Sequence, residues 1–336
     1  MATATYKVPT YTVYAVSGDT KFNLTTALVA VERSESKEQM AQRADLRLTN
    51  VQVNGNWLSG MLKARCRIFI YANDGEKNEE VFRGYLWARN YRSSISEHEI
   101  SYTCYDNLIY LQESEDTFFF PEGKSTKDIM TTVCNKWDIH LRYSYSSITH
   151  SKLPLRGKLA SCFTEDILEP VRKRTGKKYV ILSDRDAMFV MPVGSNTTIY
   201  KFLAKKNVIS TTSGWTMDGV ITQVVIVGKA DDDDRVPVEA TVSGKTSEYG
   251  TLQKIQSRDE NTSLADAKLE AKNTIDENGE PKWEYELTAP DIPWIRKGDK
   301  VYVDAGDIVK KHLIVTAVNR SSDTKSSKMT LTMENV

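Results

Sequence analysis

A run of short alternating segments fills the first third of this chain, and it limits the fold more than any other feature. The segments are Tyr11-Thr-Val-Tyr-Ala-Val16, Leu46-Arg-Leu-Thr-Asn-Val-Gln-Val53, Ala64-Arg-Cys-Arg-Ile-Phe-Ile-Tyr71, Val81-Phe-Arg-Gly-Tyr-Leu-Trp-Ala88 and Glu99-Ile-Ser-Tyr-Thr-Cys-Tyr105. A period of two puts one side of a strand on a core and the other toward solvent. Asn54-Gly55-Asn56, Asn73-Asp74-Gly75 and Ser93-Ser94 separate the runs, and Asn-Gly or Asp-Gly pairs tolerate the positive φ of tight hairpins. No helical period intervenes, so residues 1–115 are expected to form a small β-barrel.

Past Phe120 the period changes. Gly123 to Trp137 reads as a helix in which Ile129, Met130, Val133, Cys134 and Trp137 form one stripe, with Ser125 or Thr126 as its cap. A second helix is expected from Thr164 to Arg174, kinked or split at Pro170 and ended by Gly176. A hairpin follows, Lys178 to Leu182 and Ala187 to Met191, turning at Ser183 to Asp186. Residues 116–194 thus read as an α/β middle domain.

Residues 195–336 read as a second β-barrel with a helical insertion near 261–277. Val224-Val-Ile-Val227 does not alternate, which predicts cover on both faces. Pro237 suits an edge strand. Thr262 or Ser263 caps a helix whose apolar side is Leu264, Ala267, Ala271 and Ile275, and Asn278-Gly279 ends it. The fold class expected is mainly β, with two small barrels and an intervening α/β domain. The two barrels echo each other. Cys66–Ala72, Val81–Tyr91 and Glu99–Asp106 repeat the layout of Asp299–Ala305, His312–Arg320 and Lys328–Glu334, each a strand, a long strand and a strand joined by hairpins.

A length of 336 residues with 40% hydrophobic content supports two or three domains with their own cores. The 45 basic and 45 acidic residues balance, so no net field draws the chain to nucleic acid or an anionic membrane. No apolar run reaches the roughly 18 residues of a membrane helix, and Met1 to Thr10 lacks the features of a signal peptide. Cys66, Cys104, Cys134 and Cys162 form no CxxC pair and read as reduced, buried small hydrophobes.

Catalytic and ligand motifs fail on inspection. His98-Glu99 begins like HExxH, but position 102 is Tyr, and His98, His140, His150 and His312 read as surface or structural residues. GxSxG is absent. Gly123-Lys124-Ser125 lacks the earlier glycine of a phosphate loop, because position 118 is Phe. Asp231 to Asp234 are consecutive, so they cannot all converge on a cation and read as a solvated loop. Arg172, Lys173, Arg174, Lys177 and Lys178 suit a helix C-terminus, with an acidic partner or nucleic acid as the sharper reading. Phe118, Phe119 and Phe120 are expected to pack between the first barrel and the middle domain. Trp57, Trp87, Trp215, Trp283 and Trp294 could offer stacking platforms, but most are expected in cores.

Val81-Phe-Arg-Gly-Tyr-Leu86 through Tyr105-Asp-Asn-Leu-Ile-Tyr-Leu111 to Trp137, and Pro293-Trp-Ile-Arg-Lys-Gly-Asp-Lys-Val-Tyr-Val-Asp-Ala305 with Met329-Thr-Leu-Thr-Met333, together resemble the hub-like tail proteins of PBSX-type prophages and R-type bacteriocin particles. The resemblance covers most of the chain and is weakest at the N-terminus and at Lys229 to Arg235. It implies a fold similar to contractile-tail hubs and to the hub part of type VI secretion spikes. It also implies a homotrimer that meets a tail tube protein, a central spike protein and baseplate wedge or tube-initiator proteins. Nucleic acid would only pass through the lumen. Three two-barrel chains would give six similar barrels, matching a sixfold tube to a threefold spike. The hub portion of such proteins carries no catalytic, cofactor or metal residues, so none is carried over. Such a protein would assemble in the bacterial cytoplasm and leave in the tail particle. The alternatives are a tail-associated cell-wall hydrolase, for which the chain looks too short, and a module binding host-surface carbohydrate.

Overall fold

The structure, a computed structural model, describes residues 8–53, 55–93, 98–143, 148–230, 235–258, 262–323 and 325–336. The readings above that fall on Asn54, Ser94, Asp231 to Asp234 and Asn261 lie outside the described residues. The fold is mainly β, in several sheets, as the alternating patterns predict. Two compact units are present: a larger one, up to Thr212 and again from Tyr285, and a smaller one, Ser213–Glu284.

In the larger unit, β1 (Thr10–Ser17), β2 (Thr20–Asn23), β3 (Leu28–Ser36) and β4 (Arg43–Thr49) are followed by the short pair β5 (Gln52–Val53) and β6 (Asn56–Trp57). Then come β7 (Arg67–Asn73), β8 (Asn78–Ser93) and β9 (His98–Tyr105). The run expected to continue from Leu46 to Val53 breaks after Thr49. There the buried Asn50 turns its Oδ1 to the Ser59 N–H at 3.0 Å. β7, β8 and β9 form an antiparallel meander, extended by β1 beside β7 and by β4 beside β9. Its inward residues, among them Val13, Leu46, Ile68, Ile70, Phe82 and Ile100, make one core. Gly84 is required where β8 passes β9, because a Cβ there would lie 2.1 Å from the Tyr105 carbonyl oxygen.

β10 (Glu115–Phe120), β11 (His140–Tyr143), β12 (Leu153–Lys158), β13 (Tyr179–Asp184) and β14 (Ala187–Pro192) belong to the middle segment. The helix Thr126–Lys136 starts on Ser125, whose Oγ accepts from the Asp128 N–H at 3.1 Å. Its stripe Ile129, Met130, Val133 and Cys134 is buried, as its period predicts. The second helix begins earlier than expected. It runs as Leu159–Ser161, a π-helical segment Cys162–Leu168, and Glu169–Thr175. Pro170 sits in the first turn of the last segment, where a missing N–H is tolerated, directly after the π-helical turns. Gly176 ends the helix at φ 67°, as expected. The hairpin turns tightly at Arg185 and Asp186, both at positive φ. Phe118 and Phe120 stack on each other 6.0 Å apart in a core that the middle segment shares with Met40, Ala41, Leu108 and Leu111 of the first segment. Phe119, on the other face of β10, is exposed.

β15 (Lys201–Leu203) and β16 (Ser210–Thr216) lead toward the smaller unit. Its sheet has the order β18 (Val238–Ser243), β17 (Gln223–Val227), β19 (Gln253–Ser257). The helix Leu264–Asn278, capped by Ser263, covers one face through Ala267, Ala271 and Ile275 against Val224 and Ile226. The cover expected on both faces of β17 is therefore present on one only. On the other face Val225 stands half-buried opposite Ile255, which is exposed. Leu264, placed on the apolar side by its period, is exposed at the first turn.

β20 (Lys282–Pro290) returns the chain, and β21 (Lys300–Ala305), β22 (Ile308–Asp323) and β23 (Ser327–Asn335) form a second meander with its own core, including Val301, Val303, Leu313, Val318 and Leu331. The two meanders match beyond strand order. β8 and β22 are each 16 residues long. Each carries a bulge where it meets its third strand, at Trp87 and at Thr316, and each has a second register shift against its first strand. A bulge at the same place bends both long strands alike. The β3–β4 hairpin joins them: β4 pairs with β9, and β3 pairs with β22.

Candidate functional site

Sequence reasoning nominated no catalytic, cofactor or metal residue. The structure concentrates its buried charge where β3 meets β22. In β3, Arg33 and Glu35 share the inward phase of Val31, and in β22 Arg320 shares that of Val318. Charged residues in a core phase were therefore the available signal, and it went unread. All three are at most 4% exposed. Arg320 donates from Nε to Asp291 Oδ1 at 3.1 Å and from Nη2 to the Ile295 carbonyl. Asp291 also accepts from the Tyr11 hydroxyl and from Ser327 Oγ at 3.2 Å. Arg33 donates to Tyr11 Oη and to the Val81 carbonyl, each at 3.2 Å. Burial, with Asp291 beside it, pushes the Tyr11 hydroxyl up to about 12.

Glu35 accepts from Arg296 Nε at 2.5 Å and from the Lys297 N–H at 3.2 Å. Burial alone would raise its pKa, but the surrounding Arg296, Arg320 and Lys297 hold it below the usual carboxylate range. Three side chains secure the turn between β3 and β4. Lys297 Nζ donates to the carbonyls of Ser36, Gln39 and Met40. Gln112 Oε1 accepts from the N–H groups of Met40 and Ala41 at 3.0 and 3.1 Å. Asp106 accepts from those of Gln42 and Leu108, each at 2.9 Å. Burial raises Asp106 to about 7 despite those two donors, and burial raises Asp299 to about 6. The expected Lys297-Gly298-Asp299 turn forms, with Gly298 at φ 87° against Val180. Asn107 donates to the Asp186 carbonyl at 2.6 Å, and Asp186 pairs with Arg67 and Arg83 at 2.5 and 3.0 Å, so the middle hairpin is tied to the first meander.

This network holds strands together, and Asp106 and Arg296 at its edge line a small cavity of about 200 Å³. Buried ion pairs tend to fix one arrangement more than they add stability. Among the described residues no three His, Cys, Asp or Glu side chains gather as a metal site. All four cysteines are unbridged and buried, and burial raises each thiol above its ordinary range, opposite to what a nucleophile needs. His150 is buried, with Nε2 2.8 Å from Thr126 Oγ1, and burial lowers its pKa. His98, His140 and His312 are exposed.

The tryptophans depart from expectation. Trp57, Trp87, Trp215 and Trp283 are 40–61% exposed, and only Trp294 of the five is half-buried, donating to Asp74 Oδ2 at 2.7 Å. The four exposed residues sit at a strand end or a bulge, where no second layer covers them. Trp87, at the β8 bulge, packs edge-on against Tyr105 and Tyr110. Exposed aromatics of this kind are suited to protein contact.

The fold is one seen in prophage tail proteins. The 43 kDa tail protein of prophage MuSo2 from Shewanella oneidensis aligns with a TM-score of 0.72 at 14% identity, over 97% of this chain and 98% of that one. A tail protein from Neisseria meningitidis MC58 aligns at 0.70 and 12% identity, over 97% and 96%. The E. coli c3393 protein, described as a type VI secretion component with structural similarity to the T4 tail proteins gp27 and gp5, aligns at 0.58 and 10% identity, over 92% and 74%. The chain belongs to the YQBQ-like family, whose profile matches residues 68–334. It is 22% identical over 273 residues to the phage-like element PBSX protein XkdQ of Bacillus subtilis, covering 77% of this chain and 78% of that protein. It is 23% identical over 257 residues to YqbQ of the same organism, covering 70% and 72%. The resemblance read from the sequence to PBSX-type tail proteins is borne out.

Proposed function

We propose that the chain is the structural hub of a contractile phage tail or phage-tail-like particle, joining the tail tube to the baseplate spike as a homotrimer without catalysing a reaction. The observation that carries this reading is the pair of matching bulged meanders knitted into one sheet by β3 and β4. If each closes as a small barrel, in segments 1–115 and 195–336 around the α/β segment 116–194, three chains present six like barrels around one axis. That arrangement meets a sixfold tube on one side and a threefold spike on the other. The buried seam supports the same role, because it fixes the angle between the meanders under load. The protein would assemble in the cytoplasm and leave in the tail particle, contacting tube, spike and wedge or initiator proteins.

Removing the protein from a cell that produces the particle tests this by electron microscopy of the lysate. Complete tails are expected to vanish, and intact tails would overturn the reading. The exposed Trp57 and Trp87 favour one second reading, a host-surface carbohydrate module. Sedimentation of the purified protein with isolated cell walls would support it.

A further inference from the structure

The first meander carries a cleft of about 350 Å³ between the short helix Leu58–Met61, with the chain that follows it, and the bulge of β8. Its floor is apolar, from Leu62, Ala64 and Leu86, and Trp87 forms one wall. Trp87 is the bulged residue of β8, and Tyr105 and Tyr110 meet its ring edge-on, so an indole that is 42% exposed is held in one place. The charge here has one sign. Lys63 and Arg89 are the charged residues that line the cleft. Arg65 adjoins them: its N–H donates to the Leu86 carbonyl at 2.9 Å, and its guanidinium lies 5.7 Å from the centre of the Tyr110 ring. All three are exposed and form no ion pair among the described residues. Arg89 donates from Nη1 to the Ser59 carbonyl at 2.8 Å, a bond that fixes the side chain and leaves its charge uncompensated. Residues 55–73 and 81–93, which supply the cleft, contain no aspartate or glutamate. The whole chain has no net charge, so this is a local excess.

We propose that this cleft docks an acidic segment of another protein of the particle, one that sets an apolar side chain against Trp87 and brings aspartate or glutamate to Lys63, Arg65 and Arg89. The inference deepens the assembly reading and rests on it for the identity of the partner. Tryptophan and arginine are the residue types that concentrate binding energy at protein interfaces. Cations without carboxylate partners, over a lining free of acidic groups, select an acidic segment and repel a basic one. These cations gather round one pocket and are not spaced along a groove. That suits a short acidic stretch with a single anchor better than the regular phosphates of a nucleic acid.

The test uses the full chain and an unlabelled seven-residue peptide alternating glutamate and leucine, capped at both ends and titrated in a calorimeter at low salt. A lysine–leucine peptide, a glutamate–serine peptide and a single-stranded oligothymidine serve as controls. Saturable binding of the glutamate–leucine peptide alone is expected, weakening as salt is raised. Lys63→Glu, an exposed change that needs no repacking, should weaken it about tenfold, the scale of a reversed charge contact. Trp87→Ala should weaken it at least as much by removing the wall that holds the anchor. Thermal unfolding checks that both variants fold. Equal binding of the glutamate–serine peptide, no binding of any peptide, or an affinity that the folded variants leave unchanged would overturn the proposal. So would oligothymidine binding that Lys63→Glu removes, which would assign the cleft to nucleic acid, or self-association that it removes, which would assign the cleft to a second copy. The mass of the assembled protein is read separately, so a chain that trimerises yet binds no acidic peptide loses only this cleft.

Discussion

Arg33 and Arg320 stand directly opposite each other across the β3–β22 ladder, both buried, at the join between the two meanders. Like charges in facing positions destabilise a sheet, so this join holds only because Asp291 and Tyr11 stand beside the pair. Replacing Asp291 leaves Arg320 buried without its carboxylate. Asp291→Asn is expected to cost about 3–5 kcal/mol, the usual consequence of breaking one side of a buried pair. Urea denaturation at neutral pH measures it, and a change below about 1 kcal/mol would show that the seam is not held this way.

Asp106 gives the seam a pH dependence of definite sign. Its folded pKa, about 7, lies above that of an unfolded aspartate. Its contribution is therefore fully present below the unfolded pKa and is lost as pH rises through 7. Between pH 6 and pH 8 this single group should remove about 1 kcal/mol of stability. Asp299, raised to about 6, adds loss of the same sign at slightly lower pH. Glu35 acts oppositely: its pKa is held low, so its stabilisation fails only in acid. Asp106→Asn should flatten the slope between pH 6 and pH 8, although it gives up one of the two N–H bonds that the carboxylate accepts. An unchanged slope in denaturation midpoints would assign the dependence elsewhere.

Gly84 and Gly60 make a paired test of packing. A Cβ at Gly84 meets the Tyr105 backbone, whereas one at Gly60 meets nothing within 4 Å. Gly84→Ala should lower stability by about 3 kcal/mol, the upper range for overpacking. Gly60→Ala, in the short helix Leu58–Met61, should be neutral or slightly stabilising. Thermal unfolding of the two variants side by side reads the difference.

Two helix caps share one design. Ser125 and Ser263 each accept the N–H of an aspartate three residues on, at 3.1 Å. Ser125→Ala and Ser263→Ala are each expected to lose about 1 kcal/mol. Hydrogen exchange should show the loss in the first turn of the helix concerned, and a uniform loss across the chain would contradict local capping.

The meander strands and both long helices were legible because period and caps are local: Val13 with Ala15, and Ser125 with Ile129, state their faces within a few residues, whereas β3, β10 and β12 were not read. The echo of the meanders was legible for the same reason, but not the equal length of their middle strands, which were read as Val81–Tyr91 and His312–Arg320 and run to 16 residues each. The pairing of β3 with β22 was not, because it joins residues almost 300 positions apart and no local pattern encodes it. The π-helical segment was also missed, since Pro170 signals a break and not the widened turns that precede it. The exposure of Trp57 and Trp87 escaped because composition tells how apolar a side chain is, not whether a second layer reaches it. Of the seam, only the core-phase charges Arg33, Glu35 and Arg320 left a trace in the sequence.

The central claim is assembly, and the most direct measurement is the molar mass of the purified protein by light scattering after gel filtration. It is read over a range of concentrations, alone and with the purified tube and spike proteins. The account predicts a species of three times the 38.0 kDa chain mass, alone or induced by those partners. A monomer that persists at every concentration and binds neither partner would contradict it.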